Sequence, residues 1–280
     1  MAWHAVSLVL LAALLHATWN AFVKASGDQL IMLGLVNAAR FVVCLIAAFF
    51  LPLPRSESWP FLLLSAALHI GYYLFLIKAY SSGDLSHVYP LARGASPLLI
   101  VCGALLFADE RLGATATFGV VMVSLGIASL AFVARGDRHR SRRAVFYALM
   151  TALFIAAYTV ADGMGVRRAG TVITYIVWLT VLDGFPILCI AAVRRRRQFL
   201  LSAREMFWRA TGGGLLQLLA YGLVIWAMSF SPMAGVSALR ETSVIFAALI
   251  GAFMLKEPFG GRRIGAAVLV ATGIVIMKVV

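Results

Sequence analysis

Ten apolar stretches, each close to the ~20 residues a helix needs to cross a hydrocarbon core of ~30 Å, follow one another with only short polar breaks. They run roughly from Ala2 to Val23, Leu30 to Leu51, Trp59 to Ala79, Ser86 to Ala108, Thr115 to Val133, Ala144 to Ala161, Thr171 to Val193, Phe207 to Phe230, Met233 to Leu255 and Ile264 to Val279. Hydrocarbon offers no partner for an unpaired backbone N–H or C=O, so stretches of this length are expected as helices. A chain that is 62% hydrophobic and 12% charged, with mean hydropathy +0.96, has too much apolar surface for one soluble core. The first stretch lacks a basic flank and a small-residue cleavage site, which reads as a retained span and not a signal peptide.

A second constraint is internal repetition. The segment VYPLARGASPLLIVCGALLFADE, Val88 to Glu110, returns as GVSALRETSVIFAALIGAFMLKE, Gly235 to Glu257. An offset of 147 superposes Arg93 on Arg240, Ser96 on Ser243, Glu110 on Glu257, Gly113 on Gly260 and Gly126 on Gly273. Apolar matches come easily in so greasy a chain, whereas these polar and glycine matches do not. The longest polar link, Arg135 to Arg143, separates five stretches from five. The expected organisation is a first repeat over residues 1–134, a basic linker over 135–143 and a second repeat over 144–280. An odd number of spans per repeat reverses the second half across the bilayer. The fold class expected is an all-α membrane protein, with ten transmembrane helices as two inverted five-helix repeats around a central cavity.

The net charge of +13 would raise nucleic acid as a partner in a soluble protein, but here the arginines collect in loops between apolar stretches. Lipid head groups and positive-inside sorting account for that placement, and no nucleic-acid partner is expected. Connections after odd-numbered stretches hold sixteen Lys and Arg residues: Lys24, Lys78, five from Arg135 to Arg143, Arg194 to Arg197, Arg204, Arg209, Lys256, Arg262 and Arg263. Those after even-numbered stretches hold four, namely Arg55, Arg111, Arg167 and Arg168. Both termini are therefore expected on the non-cytoplasmic side of a plasma membrane, with a bacterial inner membrane as the setting. Cys44, Cys102 and Cys189 lie in apolar stretches without metal-ligand spacing, so neither a disulfide framework nor a metal site is expected, and no cofactor motif is present.

Polar residues inside the stretches form stripes. His16, Asn20 and Lys24 are spaced four apart on the first helix, with Trp19 beside them; Asn37 and Arg40 follow on the second. His69, Tyr73 and Tyr80 share a side of the third, with Tyr72 adjacent, and Tyr89, Arg93 and Ser96 mark the fourth. The second half repeats this with Tyr158 and Asp162, with Tyr175, Trp178 and Asp183, with Gln217 and Tyr221, and with Ser237, Arg240 and Glu241. The fifth and tenth carry no charge in their middles, and Gly119, Gly126, Gly265 and Gly273 suit close packing behind the others. A charge at mid-membrane costs at least ~3 kcal/mol on insertion scales and so faces a partner or water. Lys24, Lys78 and Asp162 fall near helix ends, where snorkelling to the interface is the ordinary use. Arg40 has two internal carboxylates open to it, Asp183 and Glu241. Tyr72, Tyr73 and Tyr221 serve packing or a pocket, and Glu110 and Glu257 serve to cap or brace a neighbouring helix.

The span number, the halving, Trp19-Asn20 followed by Lys24, and the helix ends Ala108-Asp-Glu-Arg111 and Leu255-Lys-Glu-Pro258 followed by Gly113 and Gly260 resemble the EamA-type branch of the drug/metabolite transporter superfamily. The resemblance covers essentially the whole chain. It implies a secondary transporter, often an exporter of amino acids or other small metabolites, with a cavity lined by helices one to four and six to nine. Where family members have a tryptophan in helix six this chain has Tyr158. Many relatives are thought to have cytoplasmic termini, the reverse of what the arginine distribution implies here.

The candidate substrate-binding residues are then Arg93, Arg240, Glu241, Asn20, Trp19, Tyr73, Tyr158 and Tyr221. The arginines suit a carboxylate or phosphate; Glu241 suits an amino group or a coupling proton, and Asp183 and His16 are further proton carriers. The expected partners are a small zwitterionic or anionic substrate, membrane lipid and protons, and a homodimer is left open. Without a Walker-type loop, coupling to a proton or to exchange follows by elimination. Exchange of organic phosphates or nucleotide-linked metabolites is the alternative substrate class. No HExxH, G-x-S-x-G or paired-aspartate motif points to an enzyme.

Overall fold

A computed structural model describes residues 3–24, 26, 29–83, 85–131, 142–254 and 261–278. Eleven α-helices and no strand occur among them. The helices are α1 (Trp3–Lys24), α2 (Gln29–Ala48), α3 (Trp59–Ser82), α4 (Leu85–Ala108), α5 (Ala114–Leu130), α6 (Arg142–Val166), α7 (Val172–Glu205), α8 (Phe207–Met228), α9 (Met233–Arg240), α10 (Ser243–Met254) and α11 (Gly261–Lys278). A 3₁₀ turn, Ser56–Ser58, leads into α3. Among the described residues the segments Ile31–Ala48, Ser56–Ser82, His87–Ala108, Arg142–Val166 and Phe207–Met228 are long and apolar enough to cross a membrane. Ala114–Leu130, Val172–Pro186 and Ile264–Met277 are shorter apolar helical segments.

Each expected stretch contains a helix, with three departures. The ninth is split in two, α9 and α10, around Glu241 and Thr242. The seventh continues past Val193 to Glu205; its 34 residues amount to about 50 Å at 1.5 Å per residue, longer than a hydrocarbon core. The sixth begins at Arg142 and ends at Val166, beyond the expected Ala161. Local chemistry sets several starts: the Thr171 side chain caps α7 by accepting from Thr174 N, and Pro60 occupies the first turn of α3, where a missing N–H is harmless. Gly170 links α6 to α7 with φ +86°, a conformation that glycine adopts without a Cβ penalty.

Surface and interior are reversed relative to a soluble protein. Phe49, Phe50, Leu106, Phe107 and Trp208 are exposed, while Arg40, Arg93, Arg240, Asp162, Asp183 and Glu241 are buried. The helices pack largely across the two halves: α3 on α6, α1 on α8 and α10, α4 on α6 and α9, α2 on α7 and α8, and α5 on α11. Exchanging each helix with its counterpart in the other half maps these pairings onto one another. The α3–α6 pair becomes α8–α1. The pairs α2–α7, α4–α9 and α5–α11 map onto themselves and so mark a pseudo-twofold relation.

At the α5–α11 crossing the backbones meet through glycine. A β-carbon on Gly119 would stand 2.6 Å from the Gly273 carbonyl oxygen, and one on Gly273 would stand 2.7 Å from the Gly119 carbonyl oxygen. Gly126 lies likewise against Val270 and Ala266. Gly265 departs from the packing expectation, since an added β-carbon there meets nothing within 4 Å. The first three therefore set the approach of two helices and the fourth does not. Gly273→Leu is expected to cost about 1–3 kcal/mol through overpacking and to lower the thermal transition of the purified protein in detergent. Gly265→Leu is expected to leave that transition unchanged.

Candidate functional site

The site forms where the ninth stretch breaks. α9 ends at Arg240, and Glu241 and Thr242 form a turn before α10 starts at Ser243. Three-residue bonds tighten the turn: Thr242 N donates to Leu239 O at 3.1 Å and Val244 N to Glu241 O at 3.0 Å. The Thr242 hydroxyl also donates to Leu239 O at 2.8 Å, a side-chain bond that bends helices. Such backbone is tolerated at membrane depth only inside protein or beside a wet cavity. Residues 233–243 are all buried.

Glu241, 1% exposed, brings its carboxylate to 2.8 Å from Arg93 Nε on α4. The contact is an ion pair directed away from hydrogen-bond geometry, and Arg93 Nη2 has no protein partner. The neighbouring Arg240 lays its guanidinium over the Tyr221 ring, 5.3 Å from the centroid, with the Tyr158 hydroxyl in hydrogen-bond reach. Tyr158 stacks on His69 at 4.0 Å between centroids and meets Tyr72 edge-on at 5.8 Å. His16 lies within the electrostatic reach of both Arg240 and Arg93, and its Nδ1 accepts from Trp19 Nε1 at 3.4 Å. Six of the candidate residues are thereby brought together: Arg93, Arg240, Glu241, Tyr158, Tyr221 and His16.

The others stand differently. Tyr73 touches Tyr72, 4.9 Å between centroids, and lies near a second ion pair. There Arg40 Nη2 on α2 meets Asp183 Oδ2 on α7 at 3.1 Å, both side chains 4% exposed. Asn37 Oδ1 accepts from Arg40 Nε at 2.9 Å. Of the two carboxylates open to Arg40, it takes Asp183. Asn20 turns back on its own helix, donating to His16 O at 2.7 Å. The Trp19 ring packs in an apolar cluster with Ile31, Met32, Leu35 and Val36 and meets the His16 ring edge-on, 5.4 Å between centroids. Glu257 lies outside the described residues, and the side chain of Lys24 is likewise not described.

Asp162 corrects the snorkelling expectation. Because α6 continues to Val166, Asp162 is carried inside and is 0% exposed. Its Oδ1 accepts from Tyr175 Oη at 3.0 Å and its Oδ2 from Tyr221 Oη at 2.5 Å. Ser65 on α3 is also in hydrogen-bond reach, and the Ser65 hydroxyl and carbonyl oxygens lie 3.3 and 2.8 Å from His69 Nδ1. His69, Tyr158, Asp162, Tyr175 and Tyr221 all stood out in the polar stripes, but nothing in the sequence joined them into one cluster. Ser65 carried no signal.

At one end of the bundle the connections after the second, fourth, sixth and eighth stretches interlock. Arg167, after α6, pairs with Glu110 at 2.6 Å and donates to Met228 O at 3.0 Å and Ser231 O at 2.9 Å. Glu110 Oε2 in turn accepts from Met233 N at 2.8 Å, satisfying one of the free donors at the start of α9. Arg55 N donates to Ala169 O at 3.3 Å, and Ser58 Oγ donates to Gly165 O at 3.0 Å. Glu110 thus braces a helix of the other half, the role expected for it.

Comparison with known proteins follows the same halving. A model of the EamA-like transporter family matches residues 3–132 and again residues 142–279. A solved structure entitled "Crystal structure of protein" superposes with a TM-score of 0.75 at 16% identity, covering 100% of this chain and 98% of that one. At that identity the likeness concerns the fold. No curated protein matches the chain.

Two measurements check the ion pairs. Arg40→Met should destabilise the protein by about 3–5 kcal/mol because Asp183 is left charged and buried, and Arg40→Met with Asp183→Leu should recover most of that loss. Both are read as thermal transitions in detergent. Glu110→Gln and Arg167→Gln should each lower the transition, while their double variant falls short of the sum by about 1 kcal/mol, the signature of a direct contact.

Proposed function

Because the chain belongs to the EamA-like transporter family, we propose that it is a secondary carrier for a small zwitterionic or anionic metabolite such as an amino acid. In this reading ten crossings in two inverted repeats place the broken ninth helix near the bilayer midplane, and the halves rock about it. The observation that carries the reading is the meeting of Arg93, Arg240 and Glu241 on the pseudo-twofold contact between α4 and α9, with tyrosines around them. An arginine pair receives a substrate carboxylate through planar, two-point bonds. Glu241 takes the ammonium group, and the substrate replaces the Arg93–Glu241 contact with two of its own. Tyr158 and Tyr221 wall the pocket, with Tyr73, Trp19 and Asn20 at its edges.

Coupling is to a proton or to exchange. Following the arginine distribution, both termini lie outside a plasma membrane, and the interlocked end around Arg167 and Glu110 is the outer, closed face. Organic-phosphate exchange fits less well, because Asp162, Asp183 and Glu241 make the interior mixed in charge and not uniformly basic.

The test is uptake into proteoliposomes under an imposed pH gradient, with labelled amino acids, organic acids and organic phosphates as probes. Arg93→Gln and Arg240→Gln should each reduce transport of the accepted probe by roughly 30-fold or more, the loss expected for one partner of a buried charge contact. Arg93→Gln with Glu241→Gln removes both charges of the pair and should restore stability without restoring transport. Transport at the parental rate by both single variants would sink the proposal.

A further inference from the structure

Six charged side chains are buried among the described residues: Arg40, Arg93, Arg240, Asp162, Asp183 and Glu241. Four of them form two direct pairs, Arg40 with Asp183 and Arg93 with Glu241. Placing a proton on Asp183 or Glu241 strands an arginine in a dry interior, an outcome that typically costs several kcal/mol. Asp162 differs. No described lysine or arginine lies within ion-pair distance of it; its oxygens are held by two phenol hydroxyls, Tyr175 and Tyr221, with Ser65 in reach.

A carboxyl group solvated by hydroxyls keeps hydrogen bonds in either protonation state. Hydroxyls donate to the anion, and the neutral acid donates its own proton to a hydroxyl oxygen. The titratable and charged groups facing Asp162 are His69 on α3, Tyr175 on α7, Tyr221 on α8 and, across the Tyr221 ring, Arg240 on α9. Tyr158 lies on its own helix. From α4 the charged group is Arg93, which is directed at Glu241. The other histidine of the site, His16, lies within the electrostatic reach of Arg93 and Arg240, where an added positive charge meets like charges.

We infer that Asp162 is the binding site of a proton, and that its occupancy is communicated through Tyr221 to Arg240. The Tyr221 side chain joins the two: its hydroxyl holds Asp162 and its ring lies under the Arg240 guanidinium. With Asp162 ionised, Arg240 has a carboxylate one phenol away that offsets its charge. With Asp162 protonated, the Arg240 charge is left for a substrate carboxylate. The inference rests on the transport reading for its purpose, but not for its test.

That test is pH-difference infrared spectroscopy of the purified protein in lipid vesicles, with no substrate added. Lowering the pH should produce, beside the carbonyl bands of the exposed carboxyl groups, a further carboxylic-acid component in the parent protein and in Glu241→Gln. That component should be missing from Asp162→Asn, which keeps the size of the side chain. Tyr221→Phe should retain it at higher frequency, since one hydrogen bond to the carboxyl group is gone. Identical carbonyl difference spectra for the folded parent and for Asp162→Asn overturn the inference. Because the readout involves no transported molecule, a failed uptake screen with this band present would instead count against the carrier reading alone.

Discussion

Two buried ion pairs on the pseudo-twofold contact fix how the two halves register against each other. Arg40 with Asp183 joins the second helix of one repeat to the second helix of the other, and Arg93 with Glu241 joins the two fourth helices. Neither partner can stay charged in a bilayer without the other, so the halves assemble only in the arrangement that satisfies both. Hydrophobic attraction gives little direction between helices already dissolved in lipid. Matched charges and the glycine crossing of α5 with α11 supply the direction that apolar side chains lack.

The repeats depart from one another at the point where chemistry is wanted. Gly94 is the counterpart of Glu241 at the 147-residue offset, and it lets α4 lie against α5: an added β-carbon would stand 2.8 Å from Ala128 N. The helix there runs on unbroken. In the second repeat a carboxylate occupies that position, turns to Arg93, and the helix gives way beneath it. A symmetry in packing thus carries an asymmetric charge, and among the described residues the buried acids all come from the second half.

Much of the helix inventory was legible, because an apolar run of about 20 residues has one stable form in hydrocarbon. Its edges were less so. Hydropathy marks where a chain leaves lipid, not where a helix stops; the residues following Val193 are sound helix formers, so α7 runs on, whereas α6 continues through Asp162-Gly-Met-Gly-Val166 against propensity, held by close packing of Gly163 on Met233 and of Gly165 on Tyr175. The same overrun made Asp162 look interfacial when it is internal. The break in the ninth stretch left little local trace, since Leu239-Arg-Glu-Thr242 contains neither glycine nor proline. The Thr242 hydroxyl bond to Leu239 O accompanies it locally, and the reach of Glu241 to a residue 148 positions earlier is its tertiary partner. Arg93 and Arg240 were legible as a pair through the repeat, whereas their partners depended on rotations about helix axes that sequence spacing does not specify.

Charge balance then narrows what the centre accepts. Among the described residues three buried arginines stand against three buried carboxylates, a neutral set when all are ionised. A zwitterion entering between Arg93 and Glu241 exchanges one pair for two and preserves neutrality. A bare anion adds a negative charge that the low-dielectric surroundings do not screen. On the carrier reading it becomes acceptable only if a proton enters with it, and among the described buried acids Asp162 accepts one without breaking a direct ion pair. Tyr221, placed between Asp162 and Arg240, therefore sits where the proton balance and the anion balance meet. On the proposed reading, substrate choice and proton coupling would be two consequences of one requirement, that charge in the middle of a membrane be matched.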